Sequence, residues 1–189
     1  MAIFKRFLSL LVITVIALAL IVWTFVSFEF RSPMFAFLIN WLIMSWIAVI
    51  GQLVTFPSFT SSYYDIKSFE QSGTLYERLG IPLFKKLVRR GPFAIFSPTL
   101  RFPAQKTISA LRTLQSEMQK AETSHMVIFC MILLLVSYAL FKGSLDAVAW
   151  LLLFSILFNG YPVMLQRYNR LKIDELISHG MEDAQQKET

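Results

Sequence analysis

Glu122 and His125 stand three residues apart, a spacing that puts both side chains on one face of a helix. A neutral imidazole in that position can take a proton from a hydroxyl, and a nearby carboxylate can orient it or stabilise its charge. The string Gln166-Arg167-Tyr168-Asn169-Arg170 adds donors suited to an oxyanion or a phosphate. These are components for acyl transfer: His125 as base, Glu122 as its orienting partner, Asn169 and Arg170 facing the oxyanion or the donor's phosphates. Glu70, in Phe69-Glu70-x-x-Gly73, is a further candidate acid, which a loop salt bridge with Lys67 would equally explain. Plainer readings stand beside the others. His125 also fits a hydrogen-bonded polar residue between helices, and Arg167 and Arg170 fit basic anchors at a cytoplasmic helix end. Glu-x-x-His is a di-iron spacing too, but no second motif or set of facing carboxylates accompanies it, so no metal is expected. No Gly-x-Ser-x-Gly elbow, Walker loop or His-Glu-x-x-His occurs. His179 and Asp183 fall one residue short of a His-x4-Asp box and lie in a polar tail, expected to be frayed, that spans 178–189.

What must position these residues is read from composition. The chain has 189 residues, 56% hydrophobic, 15% aromatic and only 16% charged, with a net charge of +6. Soluble domains carry roughly 25% charge, so this excess of apolar residues must face lipid. The chain reads as an all-α integral membrane protein, a single membrane domain over 1–189. Cys130 is the lone cysteine, which excludes a disulfide framework and a CxxC site. Four apolar runs, 7–28, 35–56, 126–141 and 145–165, predict transmembrane helices. The first follows Lys5 and Arg6 but continues through Trp23, Phe25 and Phe28, as a retained helix does and a cleaved signal does not. The third is short, so its helix should begin upstream, in the polar stretch ending at Glu122 and His125. Ten of the Lys and Arg residues fall in 57–124, against Arg31 and Lys142 alone in the two short connections. The positive-inside rule then places both termini and the long segment on the cytoplasmic side of the cell membrane. The basic charge serves topology and lipid, not nucleic acid.

Segment 57–124 should pack on the membrane through amphipathic interfacial helices. After Gly80 and Pro82, residues Leu83, Phe84, Leu87 and Val88 fall within about 140° of arc, with Lys85, Lys86, Arg89 and Arg90 opposite. Gly91 and Pro92 should end that helix, and the Pro-rich stretch 91–103 reads as a surface loop. A second stripe, Leu111, Leu114, Met118 and Ala121, runs into the third span and should face other helices. The tight connection 142–144 makes the last two spans antiparallel neighbours, so Glu122, His125, Asn169 and Arg170 can converge. Asn159, Gly160 and Pro162 should kink the fourth span and open room for a lipid chain.

Lys67-Ser68-Phe69-Glu70 with Gly73, the run around Phe84-Lys85-Lys86, Ala121-Glu122-x-x-His125 and Gln166 to Arg170 together resemble the glycosyl-4,4′-diaponeurosporenoate acyltransferases. The similarity runs over 41–176; the first span is additional to the family's short form. The resemblance implies an O-acyltransferase without a cofactor. Its donor would be an acyl-CoA or acyl-carrier protein, and its acceptor a sugar hydroxyl of a glycosylated carotenoid or related glycolipid. Arg167, Lys67, Lys85 and Lys86 are the substrate-binding candidates. The alternatives are a small membrane methyltransferase, for which no adenosyl pocket is signalled, and a non-enzymatic membrane scaffold or accessory subunit.

Overall fold

A computed structural model describes residues 2–54, 59–90 and 107–186, with side chains for 4–54, 59–90 and 107–178. These residues form helices joined by turns, with no strand among them. In chain order the helices are α1 (Ala2–Ser27), α2 (Pro33–Leu53), α3 (Ser61–Tyr64), α4 (Thr74–Arg78), α5 (Ile81–Arg90), α6 (Ile108–Phe141), α7 (Leu145–Ser155) and α8 (Tyr161–Gln186). A π-helical turn, Ile156–Gly160, sits between α7 and α8. Four stretches, Phe4–Ser27, Pro33–Leu53, Ile108–Phe141 and Leu145–Ser178, are long and apolar enough to cross a bilayer. At ~1.5 Å per residue even the shortest covers ~30 Å of hydrocarbon, so this is a membrane protein.

Two compact units divide the chain: Met1–Pro57 with Ser124–Gly160, and Ser58–Thr123 with Tyr161–Thr189. In the first unit, Phe35, Ala36, Ile39, Ile43 and Ile47 of α2 pack on Ile128, Ile132, Val136 and Ala139 of α6 and on Ala147 and Leu151 of α7. The spacings of three and four residues are the single helical stripe that burial requires. Ser32 starts α2 by accepting from the Phe35 N–H at 3.1 Å, with Pro33 in the first turn. Helix α1 leaves Phe7, Leu11, Val15, Val22 and Val26 exposed, the surface a lipid-facing helix presents. The turn between α6 and α7 is closed by Gly143 at φ 64°, where Gly143 N–H reaches the Leu140 carbonyl and Ser144 N–H the Ala139 carbonyl. The tight antiparallel hairpin expected at 142–144 is therefore present.

The second unit has two apolar clusters. Leu111 and Met118 of α6 bury against Ile173 and Ile177 of α8, so the expected stripe does face another helix. Tyr76 and Ile81 bury against Leu165 and Tyr168, with Phe84 and Val88 of α5 packed on them. Three expectations change. Helix α5 does not turn one apolar stripe to the interface: Phe84 and Val88 pack inward, while Leu83 and Leu87 are exposed at 64% and 62%. Protein contacts thus take half the stripe. The polar tail expected to fray after residue 178 continues as helix through Gln186. The second span ends at Leu53 rather than 56. The loop expected at 91–103 lies outside the described residues.

A Cβ at position 143 would force a left-handed backbone on a residue that resists it by roughly 1–2 kcal/mol. Gly143→Ala should therefore lower the thermal midpoint of the detergent-solubilised protein, measured by intrinsic fluorescence, without altering its helical content by circular dichroism.

Candidate active site

In the second unit four ionisable side chains meet out of water. The Arg167 guanidinium grips Glu70 with both edges, Nε to Oε1 at 2.8 Å and Nη2 to Oε2 at 2.7 Å. Its Nη1 donates to Glu122 Oε1 at 2.9 Å and to the Tyr63 carbonyl at 3.1 Å, and Nη2 also donates to the Asp65 carbonyl at 3.2 Å. A guanidinium has five N–H groups, and all five are committed. Arg170 closes the set: Nη2 lies 3.0 Å from Glu122 Oε2 and Nη1 donates to the Tyr64 carbonyl at 2.8 Å. Arg170 and Glu122 are 2% and 0% exposed. Rings back both cations, Tyr63 on Arg167 and Tyr64 on Arg170.

Glu70 also accepts from the Tyr76 hydroxyl and from the Lys67 backbone N–H. Burial alone would raise its pKa, but hydrogen bonds from Arg167, Tyr76 and Lys67 override that and hold the carboxyl at about 2. The same burial, with Glu70 as acceptor, pushes the Tyr76 hydroxyl up, so it remains a donor. Gly73 follows at φ 69°, a left-handed backbone that favours glycine, and packs at ordinary contact distance against Tyr168 and Leu171.

The first unit holds a different arrangement. His125 Nδ1 lies 3.3 Å from Asn159 Oδ1, Asn159 Nδ2 is 3.5 Å from Asn40 Oδ1, and Asn40 Nδ2 donates to the Ala36 carbonyl at 2.9 Å. The last bond fixes the direction of all three. A backbone carbonyl can only accept, so Asn40 must present its amide nitrogen there and its oxygen to Asn159, which then presents its own oxygen to His125. The imidazole therefore donates from Nδ1, and Nε2 of the neutral ring carries no proton. The Phe158 carbonyl also lies within hydrogen-bond reach of the buried ring. Pro162, four residues on, has no N–H to offer that carbonyl. Asn159 itself belongs to the π-helical turn and is fully buried.

The candidates thus separate by partner. Glu122 does not orient His125: its carboxylate is taken by two arginines, and Asn159 holds the ring instead. Glu70 pairs with Arg167 rather than with the Lys67 ammonium, which donates to the Ser62 carbonyl at 2.6 Å. Arg167, expected to bind substrate, has no N–H left to do so. Asn169 is buried and accepts from Lys85 Nζ at 2.6 Å through Oδ1, while its Nδ2 has no partner among the described residues. Burial lowers the Lys85 pKa, and the Arg89 and Lys172 charges add to that. Lys85, Lys86, Arg89 and Arg90 line a cavity of about 300 Å³ with Pro82. Sequence reasoning passed over Asn40 and the backing tyrosines. The signal for Asn40 was present, an amide alone in an apolar span. Among the described residues no cluster of His, Cys, Asp or Glu could hold a metal ion.

Compared with protein families, residues 60–179 match the one described as glycosyl-4,4′-diaponeurosporenoate acyltransferase, over more than half of the chain. The stretch contains Glu70, Glu122, His125, Arg167 and Arg170. Comparison with curated proteins and with solved structures finds no match.

Removing one member of a buried ion pair costs roughly 3–5 kcal/mol, because its partner stays charged and unpaired. Arg167→Leu should accordingly collapse the folded yield in detergent. The pH dependence carries a sign: Glu70 titrates near 4.5 in the unfolded chain but at about 2 when folded. Its contribution is complete above about pH 4.5 and fades as pH falls toward 2. Thermal melts between pH 7 and 3 should show that loss in wild type, and Glu70→Gln should start less stable at pH 7 and show a shallower fall.

Proposed function

The chain belongs to the glycosyl-4,4′-diaponeurosporenoate acyltransferase family, and from that premise we propose that it is a membrane O-acyltransferase acting on a sugar hydroxyl of a glycosylated carotenoid or related glycolipid. The family name implies acyl transfer, and the four apolar helices give the enzyme a bilayer and lipid-type substrates. The observation that carries the reading to residues is the directional chain from the Ala36 carbonyl through Asn40 and Asn159 to His125, which leaves a ring nitrogen able to accept a proton.

In the proposed reaction the acceptor oxygen forms the ester bond to the acyl carbon of a thioester donor while its proton passes to His125 Nε2. The tetrahedral oxyanion then collapses, the C–S bond breaks, and the leaving thiolate recovers the proton from His125. Asn159 is a positioning residue: it holds Nδ1–H and so keeps Nε2 basic. The second unit contributes recognition. Lys85, Lys86, Arg89 and Arg90 form a cationic face suited to the phosphates of coenzyme A or an acyl-carrier protein. Asn169 holds Lys85 on this face, and Arg170 is committed to Glu122 and the Tyr64 carbonyl behind it. Lys67, exposed and donating to the Ser62 carbonyl, adds its charge to the field. With this chemistry goes the topology that the basic residues prescribe, both termini and the basic helix on the cytoplasmic side of the cell membrane.

Mass spectrometry of membranes from cells supplied with the glycosylated carotenoid should find the acylated product with wild type and lose it with His125→Gln at matched expression. Identical profiles from the two proteins would remove His125 from the mechanism, and a wild-type profile matching empty cells would favour the scaffold. With an acyl-CoA donor, Lys86→Gln should raise KM severalfold at low salt with kcat little changed, and the difference should shrink as ionic strength rises, since an exposed charge acts through a screened field.

A further inference from the structure

The second unit has another cavity, and its chemistry is the opposite of the basic face on α5. It encloses about 440 Å³, within the ~300–1,000 Å³ range of small-molecule sites, and is walled by α6, α8 and the residues around α3. Asp65 and Asp174 supply carboxylates, Gln115 and Gln119 supply amides, and Tyr64 and Arg170 line it as well. Much of this polar surface is unspent. Gln115 Nε2 donates to Asp174 Oδ1 at 2.7 Å, which leaves Asp174 Oδ2 and Gln115 Oε1 open. Neither the Asp65 carboxylate nor the Gln119 amide has a hydrogen-bond partner among the described residues. Arg170, 2% exposed, lines the wall with its charge balanced by Glu122, and its Nε is covered by protein rather than open to the cavity.

That set discriminates by charge. With Arg170 already neutralised, the two aspartates make the cavity net negative, so it repels phosphate and carboxylate groups. It also lacks the third acidic or imidazole ligand from which a cation site would be built. What matches two carboxylates beside two amides is a neutral ring bearing several hydroxyls, each of which both donates and accepts. We propose that the cavity between Asp65, Gln119 and Asp174 binds a sugar, the glycosyl headgroup of the lipid acceptor. This rests on the acyltransferase reading for its identification of the lipid, while the polyhydroxyl chemistry follows from the cavity alone. The unit then sorts two substrates electrostatically, the anionic donor to the basic face of α5 and the neutral acceptor headgroup to the acidic cavity.

The test uses the full-length protein in a sugar-free zwitterionic detergent, titrated calorimetrically with octyl β-glucoside, glucose or coenzyme A. Wild type should bind the glucoside, and Asp174→Asn and Asp65→Asn should each weaken it by about tenfold, the worth of one hydrogen bond to a charged group, with coenzyme A binding unchanged. Gln119→Ala, which removes no internal bond, guards against misfolding and should also lose several-fold. Glucoside affinity unmoved by all three substitutions overturns the proposal, and glucose binding as tightly as the glucoside overturns its lipid half. Acylation of a glycolipid by membranes of the unbinding wild type would sink the cavity while leaving acyl transfer intact. Binding that responds to the substitutions in a protein that acylates nothing would keep the cavity and sink the acyltransferase reading.

Discussion

The second unit depends on one guanidinium. Arg167 ties together three stretches far apart in the chain: the irregular connection 59–73 through Glu70 and two backbone carbonyls, α6 through Glu122, and α8 through its own backbone. A planar fork with five donors can satisfy two carboxylates and two carbonyls at once, which a lysine ammonium with three cannot. The connection has little regular structure and so cannot satisfy its own carbonyls. Arg167 does it for Tyr63 and Asp65. Burying such charges is costly unless they are matched, and here two carboxylates meet two guanidiniums, with Tyr76 and the Lys67 N–H adding hydrogen bonds to Glu70.

Because Arg167, Glu70 and Glu122 are committed to one another, they are withdrawn from substrate chemistry, and the open polar groups gain meaning by contrast. Glu70 and Glu122 face cations and cannot act as bases; Arg167 cannot bind a phosphate. Lys86, Arg89 and Arg90 on α5 have no ion-pair partner among the described residues, and neutral or acidic groups remain open between α6 and α8. Under the proposed reaction such a separation would sort a charged donor from an uncharged acceptor headgroup. The exposed Leu83 and Leu87 add an apolar contribution on the helix that carries the basic residues, as interfacial helices do at an anionic leaflet.

How much of this could be read from the chain follows from the range of each signal. Spans, hairpin and the Leu111 to Met118 stripe are local patterns, governed by the helical period and by Gly143, and the structure agrees with them. The partners of Glu122 and Glu70 are not local. Arg167 is 97 residues from Glu70, and nothing in spacing distinguishes it from Lys67, three residues away. The apolar stripe of α5 was legible as a stripe, but which half would meet Tyr76 and Tyr168 depends on where α8 runs. Nor does sequence announce the π-helical turn. Asn159, Gly160 and Pro162 mark an interruption there, and only the structure gives its form.

That interruption bears on why the first unit tolerates three polar side chains within apolar helices. Asn40, Asn159 and His125 each cost free energy in such surroundings unless paired, and three apolar residues would pack there without the problem. An amide pair with no backbone anchor could run in either direction, since it bonds equally well when both members are flipped. This one cannot, because the Ala36 carbonyl accepts and never donates. The constraint passes along two amides to the imidazole and selects the tautomer with its proton on Nδ1. A fixed tautomer contributes little to packing. It is what a base needs if it is to meet a hydroxyl with a lone pair already in place, and that asymmetry is the strongest physical reason to read His125 as chemistry rather than as glue.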